Sequence, residues 1–291
     1  MQALRAVQNW PVGAAAAVVL EGPAPQAGAI GGPAPGSGDG VRIVATVGDE
    51  TRVLPWASIT KLCTALAVLV ATEEGSAALD DPAGPAGSTV AHLLAHASGL
   101  GPDRGPPLMP PGRRRIYSNY GYELLGEHVG ARSGIPFADY LTEAVLEPLV
   151  MDGARWGASR SPASGLTGSV RDLAALGREL MSPTLVSPET LARATAVAYP
   201  GLDGVVPGFG LQRPCDWGLG PEVRGSKRPH WTGARNDPRT FGHFGRAGGF
   251  LWVDPAAGVA LGALSDRAFG PWAADAWPAL ADGVLAELGG G

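Results

Sequence analysis

The sequence predicts an α/β fold: an antiparallel sheet built from both chain ends and flanked by helices, with a helical lobe inserted between them. Three observations carry this. Short apolar runs near the N-terminus, 14–20 and 41–47, have the length and boundaries of strands. Helical periodicity dominates from about residue 58 to 180. A strand-and-turn pattern returns from about 204. Strands at both ends of a helical middle imply one sheet closed by the two termini. The 291 residues then form a single domain, with an α/β lobe over about 1–75 and 204–291 and a helical lobe over about 76–203.

The elements follow in order. Residues 14–20 and 41–47 read as a hairpin around a Gly/Pro-rich loop, 22–40, which offers little to bury and is expected to be mobile. A cleaved signal peptide competes with this reading, because Arg5 precedes an apolar run and Ala27-Gly28-Ala29 resembles a cleavage site. The single positive charge, and the strand that cleavage would discard, favour the hairpin. A cytoplasmic protein is the expectation that follows. A long helix is predicted over 58–74, with Ser58 capping its first turn and Leu62, Leu66 and Leu69 along one face. A short helix over 90–96 follows, then a Pro/Gly/Arg loop over 101–115, then helices over 121–133, 137–145 and 170–180. Strands are expected at 208–212, 249–254 and 258–265, the last two joined by a tight turn at 255–258. A helix over 272–288 closes the chain. The stretch 214–240 has no pattern of its own, and its length suits a loop over a site.

Composition narrows the function. A net charge of -5 argues against a nucleic-acid surface. No apolar run reaches the length of a membrane span. Two cysteines do not make a disulfide scaffold, and Cys63 sits in an apolar helical run as a core residue. His92, His96, His128 and His230 show no metal-ligand spacing, and no phosphate-cradling glycine loop occurs. No metal and no cofactor are expected. The cations are 20 Arg and two Lys, Lys61 and Lys227. Where charge alone suffices this chain uses Arg, so a retained Lys is a candidate for a task that needs a titratable amine. Lys227, in a polar run, is expected to be a surface cation. Lys61 stands in different company.

Ser58-Ile59-Thr60-Lys61 is a Ser-x-x-Lys. At the head of a helix, positions i and i+3 share a face, so hydroxyl and amine meet. A serine hydroxyl needs a base before it can attack, and a buried Lys can serve as one. Helix-start N–H groups are also available to a developing oxyanion. Tyr117-Ser118-Asn119 lies about sixty residues on, and His243-Phe244-Gly245 lies late in the chain. These three motifs, in this order, resemble the serine β-lactamase and penicillin-binding-protein family. The similarity is greatest to its class C-like branch of D,D-carboxypeptidases, D-aminopeptidases and esterases. Flanking segments are similar as well: Leu93-Leu94-Ala95-His96-Ala97-Ser98-Gly99-Leu100, Glu147-Pro148-Leu149 and Ser164-Gly165-Leu166. The resemblance covers about residues 10–288 and implies the β-lactamase/transpeptidase-like fold.

It also implies roles. Ser58 would be acylated. Lys61 and Tyr117 would share the base work, the Lys charge holding Tyr117 near its phenolate. Asn119 would orient Lys61 or a substrate amide. His243, Phe244 and Gly245 would lie on the strand edging the site and bind substrate. The N–H groups of Ser58 and Arg246 would form the oxyanion hole. The third motif departs from the Lys-Thr-Gly of lactamases, because Phe244 replaces the hydroxyl residue. Neutral acyl esters are therefore expected to be better substrates than carboxylate-bearing β-lactams, unless Arg113, Arg114 and Arg115 supply an anion site. The partner implied is a small-molecule acyl substrate. An acyltransferase, or a ligand-binding family member without catalysis, remains an alternative at this point.

Overall fold

The computed structural model describes residues 1–23 and 40–289. Most of the 22–40 loop therefore lies outside the described residues. The chain begins with a 3-10 helix, Ala3–Asn9. Strands β1 (Ala15–Glu21) and β2 (Arg42–Val47) form the expected hairpin. After β3 (Leu54–Pro55), a 3-10 turn over Ala57–Ile59 leads into α1 (Thr60–Glu73). Helix α2 (Val90–Leu94) stops short of the expected end, because His96 turns into the left-handed region at φ +54°. Helix α3 (Asn119–Ser133) is capped by Ser118 and ends at Gly134, whose φ of +75° suits a residue without Cβ. Helix α4 (Phe137–Leu141) continues as a π-helical turn, Thr142–Leu146. Two short strands, β4 (Arg155–Trp156) and β5 (Leu166–Gly168), join β3 in a small sheet. Helix α5 (Val170–Met181) opens on a capping box in which Ser169 and Asp172 satisfy each other's backbone N–H. Helix α6 (Pro188–Thr195) follows.

Strands β6 (Gly204–Val206) and β7 (Gly210–Gln212) form a hairpin apart from the main sheet. The run expected as a sheet strand at 208–212 is thus corrected: it pairs locally with β6. The remaining strands are β8 (Glu222–Val223), β9 (Phe241–Gly245), β10 (Gly249–Asp254) and β11 (Val259–Ser265), and α7 (Pro271–Gly289) closes the fold. The six-stranded sheet runs β2-β1-β11-β10-β9-β8. Every neighbouring pair is antiparallel. Its central strands are buried on both faces, so they read as continuous apolar runs.

Period-2 alternation divides the core. Val18, Leu20, Leu251 and Val253 face one cluster with α1 and α5. Ala17, Val19, Phe250 and Trp252 face a second cluster with α7 and the N-terminal 3-10 helix. Helix α1 is buried nearly all round, well beyond the single leucine face that its sequence suggests.

Two further expectations are corrected. The 214–240 stretch does have structure: it holds β8 and buries Trp217, Trp231 and Lys227, while its Trp217 packs against Tyr117 and His243. Lys227 is no surface cation. Its side chain is 0% exposed and lies 3.4 Å from the buried Glu222 carboxylate. It also donates to the carbonyls of Asp216 and Val223. A cation removed from water needs such partners.

Candidate active site

Ser58 occupies the middle of the 3-10 turn between β3 and α1. It does not cap the helix as expected, and its hydroxyl is used elsewhere. The preceding Ala57 has φ +46°, a costly conformation for a residue with a Cβ. This strain presents Ser58 at the head of α1, where Lys61 follows one turn later.

Tyr117 donates a hydrogen bond to Ser58 Oγ at 2.7 Å. Lys61 Nζ lies 3.3 Å from the same oxygen. Nζ also donates to Asn119 Oδ1 and to the Ala163 carbonyl, each at 2.8 Å. A neutral amine has two N–H bonds and one lone pair. The two acceptors take both N–H bonds, and the lone pair is left for Ser58. Burial pushes the Lys61 ammonium down to about 7, and Glu123 only partly opposes it. The rings of Tyr117 and Tyr122 lie 4.8 and 5.3 Å from Nζ, which moderates the cost when the ammonium forms.

Tyr117 departs from its expected state. Burial raises its phenol above the ordinary value, and this outweighs the hydrogen bond to Ser58. The shift is away from phenolate, because burial disfavours the charged form. The neutral amine of Lys61 is the base form more readily populated near neutral pH.

His243 and Gly245 reach the site from β9. His243 is buried, and its ring lies near those of Tyr117 at 5.8 Å and Trp217 at 5.7 Å. Its Nδ1 donates to the Phe244 carbonyl at 2.7 Å, so Nε2 carries the lone pair. Burial, then the Lys61 charge, lowers its pKa to about 4, so it is neutral at pH 7. Gly245 passes the 3-10 turn so closely that a Cβ would sit 2.1 Å from the Trp56 carbonyl oxygen. Only glycine lets the strand lie against the turn that carries Ser58. Arg246 follows at once and is exposed, its carbonyl accepting from Phe269 N–H.

Phe244 is corrected. It lies on the face of β9 opposite His243, packed against Phe209, Phe269 and Trp277. It is a core residue of the sheet–α7 layer, and its ring is turned away from the Tyr117 side. Arg115 is also corrected. It is buried and donates to the carbonyls of Ala95, Cys215, Ala198 and Tyr199, so its guanidinium is not available to an anion. Arg113 and Arg114 are exposed.

Two contributors escaped the sequence reading. The Ala163 carbonyl is one; it is held by the Thr64 bond to Pro162 and by Ser161. No pattern marks a backbone carbonyl. His96 is the other; it lies in the family-like segment 93–100, but its spacing from the other histidines carries no signal.

A Ser-x-x-Lys turn set under the edge of an antiparallel sheet, and faced by a Tyr-x-Asn turn, defines a protein of the β-lactamase and penicillin-binding-protein class. The family model described as β-lactamase matches residues 13–285. A β-lactamase structure from Mycobacterium bovis is 52% identical, covers 98% of this chain and 99% of its own, and has a TM-score of 0.90. The chain belongs to the β-lactamase family. Two more distant structures share the fold. The octameric penicillin-binding protein homologue from Pyrococcus abyssi is 22% identical, with 99% of this chain and 75% of that one covered and a TM-score of 0.70. EstCE1, a hydrolase with promiscuous acyltransferase activity, is 15% identical, with 98% of each chain covered and a TM-score of 0.76. A comparison with curated proteins finds no match. Among the described residues, no helix is long and apolar enough to cross a membrane, and no cluster of three metal-ligating side chains occurs.

Proposed function

We propose that the chain is an active-site-serine hydrolase that forms an acyl-Ser58 intermediate on neutral esters or small amides. The observation that carries this reading is the arrangement around one oxygen: Ser58 Oγ is 2.7 Å from Tyr117 Oη and 3.3 Å from the buried Lys61 Nζ. Lys61 takes the Ser58 proton as Oγ attacks the acyl carbon. The N–H groups of Ser58 and Arg246 receive the oxyanion. Tyr117 gives its proton to the leaving group as the acyl bond breaks and regains one from the Lys61 ammonium. Water then attacks the acyl-enzyme by the same route in reverse. Asn119 keeps Lys61 aimed at Ser58.

Neutral substrates are favoured because two of the candidate counter-charges, His243 and Arg115, are not available, which leaves the exposed Arg113 and Arg114. His243 is neutral at pH 7, and Arg115 is committed to carbonyls. A substrate carboxylate would find no partner in either His243 or Arg115 for the water it loses. The second reading is β-lactam hydrolysis, favoured by the Mycobacterium bovis structure, which is described as a β-lactamase. The test compares kcat/KM for an aryl acetate and a chromogenic cephalosporin. It is accompanied by mass spectrometry of the chain after treatment with a reactive phosphonate. An adduct on Ser58 and faster ester turnover are expected. Faster cephalosporin turnover would establish the second reading, and an adduct on another serine would overturn both. Adding an alcohol and analysing products separates hydrolysis from acyl transfer.

A further inference from the structure

We infer that His96 is a positioning residue for Tyr117, gripping the N–H groups of the residues on either side of it. The His96 carbonyl accepts from Ile116 N–H at 2.9 Å. Its ring Nδ1 accepts from Ser118 N–H at 3.1 Å. Tyr117 is the residue between those two donors. The His96 ring also lies against the Tyr117 ring, with centroids 4.5 Å apart. One residue thus fixes the phenol's backbone from both sides and its ring from one face. The inference rests on Tyr117 acting in the acyl transfer proposed above.

The backbone supports this reading. His96 adopts φ +54°, in the left-handed region that a residue with a Cβ avoids. That conformation persists only where surrounding contacts enforce it. Here it turns the chain so that carbonyl and imidazole of the same residue both face the 116–118 segment.

The proton on the ring is also assigned by geometry. An Nδ1 that accepts from a backbone N–H carries no proton, so the proton sits on Nε2. Nε2 is buried and has no hydrogen-bond partner among the described residues. A histidine needed only to fill space would be cheaper as an apolar side chain. The Nδ1 bond is the feature that an apolar residue could not supply. Tyr122 and Trp217 pack on the same ring, at 5.2 and 5.0 Å, and hold it in that orientation. Burial above all, and then the Lys61 charge, act against a second proton on the ring, which keeps Nδ1 an acceptor.

The experiment has an arm independent of activity. In ring-15N-labelled protein, the His96 signal, identified by its loss in His96→Asn, must show a proton on Nε2 and none on Nδ1. The opposite tautomer overturns the inference. The second arm measures ester turnover per phosphonate-titrated serine, so that loss of folded protein does not count. His96→Ala is expected to lower kcat by about ten- to a hundredfold, the effect of a displaced catalytic group, with little change in KM. His96→Asn is expected to restore most of kcat, because Asn tolerates the left-handed region and its Oδ1 can accept from Ser118 N–H. Wild-type kcat in His96→Ala, or equal loss in both variants, would sink the inference. If Ser58→Ala retains full turnover, the proposed function is what fails, and the tautomer measurement still decides the role of His96 in the fold.

Discussion

Lys61 concentrates the chemistry at the residue scale. Its ammonium is pushed down to about 7 by burial, and the free amine is the form that can accept the Ser58 proton. The kcat/KM for a neutral ester should therefore rise with pH and reach half its maximum near pH 7. A flat profile between about pH 5.5 and 8.5 would remove Lys61 as the base. Lys61→Arg should lose at least about a thousandfold in kcat, since a guanidinium cannot give up its proton, and a variant retaining a tenth would contradict the role. The same burial burdens the fold. The folded pKa lies below the unfolded value of 10.5, so between about 7 and 10.5 the unfolded chain holds the extra proton. Stability accordingly rises with pH across that window, and the full penalty applies below it. Lys61→Met should be more stable than wild type by about 2 kcal/mol in urea denaturation at pH 6, with a smaller gain at pH 9. Phe244 makes the opposite point. Packed on Phe209, Phe269 and Trp277, it offers nothing to a substrate carboxylate. Phe244→Thr should cost about 3 kcal/mol of stability through the cavity and the buried hydroxyl, without shifting the ester-to-cephalosporin ratio.

At the scale of elements, the site is made where β9 meets the 3-10 turn at the head of α1. Gly245 permits the contact, because a Cβ there would lie 2.1 Å from the Trp56 carbonyl oxygen. Gly245→Ala should force the strand and the turn apart. Ester turnover should fall by about a hundredfold or more, since small displacements at the reacting groups are costly. Ser169→Ala supplies the contrast. It removes the cap of α5, which packs on β1, β10 and β11, and should lower stability by about 1 kcal/mol in urea denaturation while kcat stays as in wild type. Equal losses of activity in the two variants would show that turnover follows stability alone.

Across the whole molecule, the 214–240 segment is tied to the sheet edge by buried charge. Glu222 lies opposite Gly242 in the β8–β9 pair, one residue from His243. It is 3.4 Å from Lys227 Nζ, 3.1 Å from His230 Nε2 and 2.8 Å from Trp231 Nε1. Lys227, His230 and Trp231 hold the carboxyl at about 2, against the desolvation that would raise it. The folded pKa is depressed below the ordinary 4.5, so the stabilisation is present above that value and is lost as pH falls from 4.5 towards 2. Lys227→Met should cost about 3–5 kcal/mol near neutral pH by leaving Glu222 unpaired. Pairing Lys227→Met with Glu222→Gln should recover much of that. No recovery in the double variant would show that the charges are not coupled.

The sequence by itself determined whatever depends on local spacing. Ser58 and Lys61 meet because a turn opening a helix puts i and i+3 on one side. The strands 249–254 and 258–265 are legible because they are short apolar runs flanked by glycine-rich and turn residues. The order of the three motifs was enough for the family and its fold. The tertiary structure decided everything that depends on which surfaces close over a side chain. His243 and Phe244 are neighbours in sequence, yet β-alternation sends one to the Tyr117 side and the other to the α7 core. Lys227 sits in a polar run, but the segment folds over it and pairs it with Glu222. The Tyr117 phenol is held above its ordinary value because burial outweighs its hydrogen bond to Ser58. Arg115 is taken up by carbonyls from segments distant in sequence. In each case the deciding quantity is the loss of water and the partners that replace it. That loss is set by contacts between residues far apart in the chain, which no local pattern records.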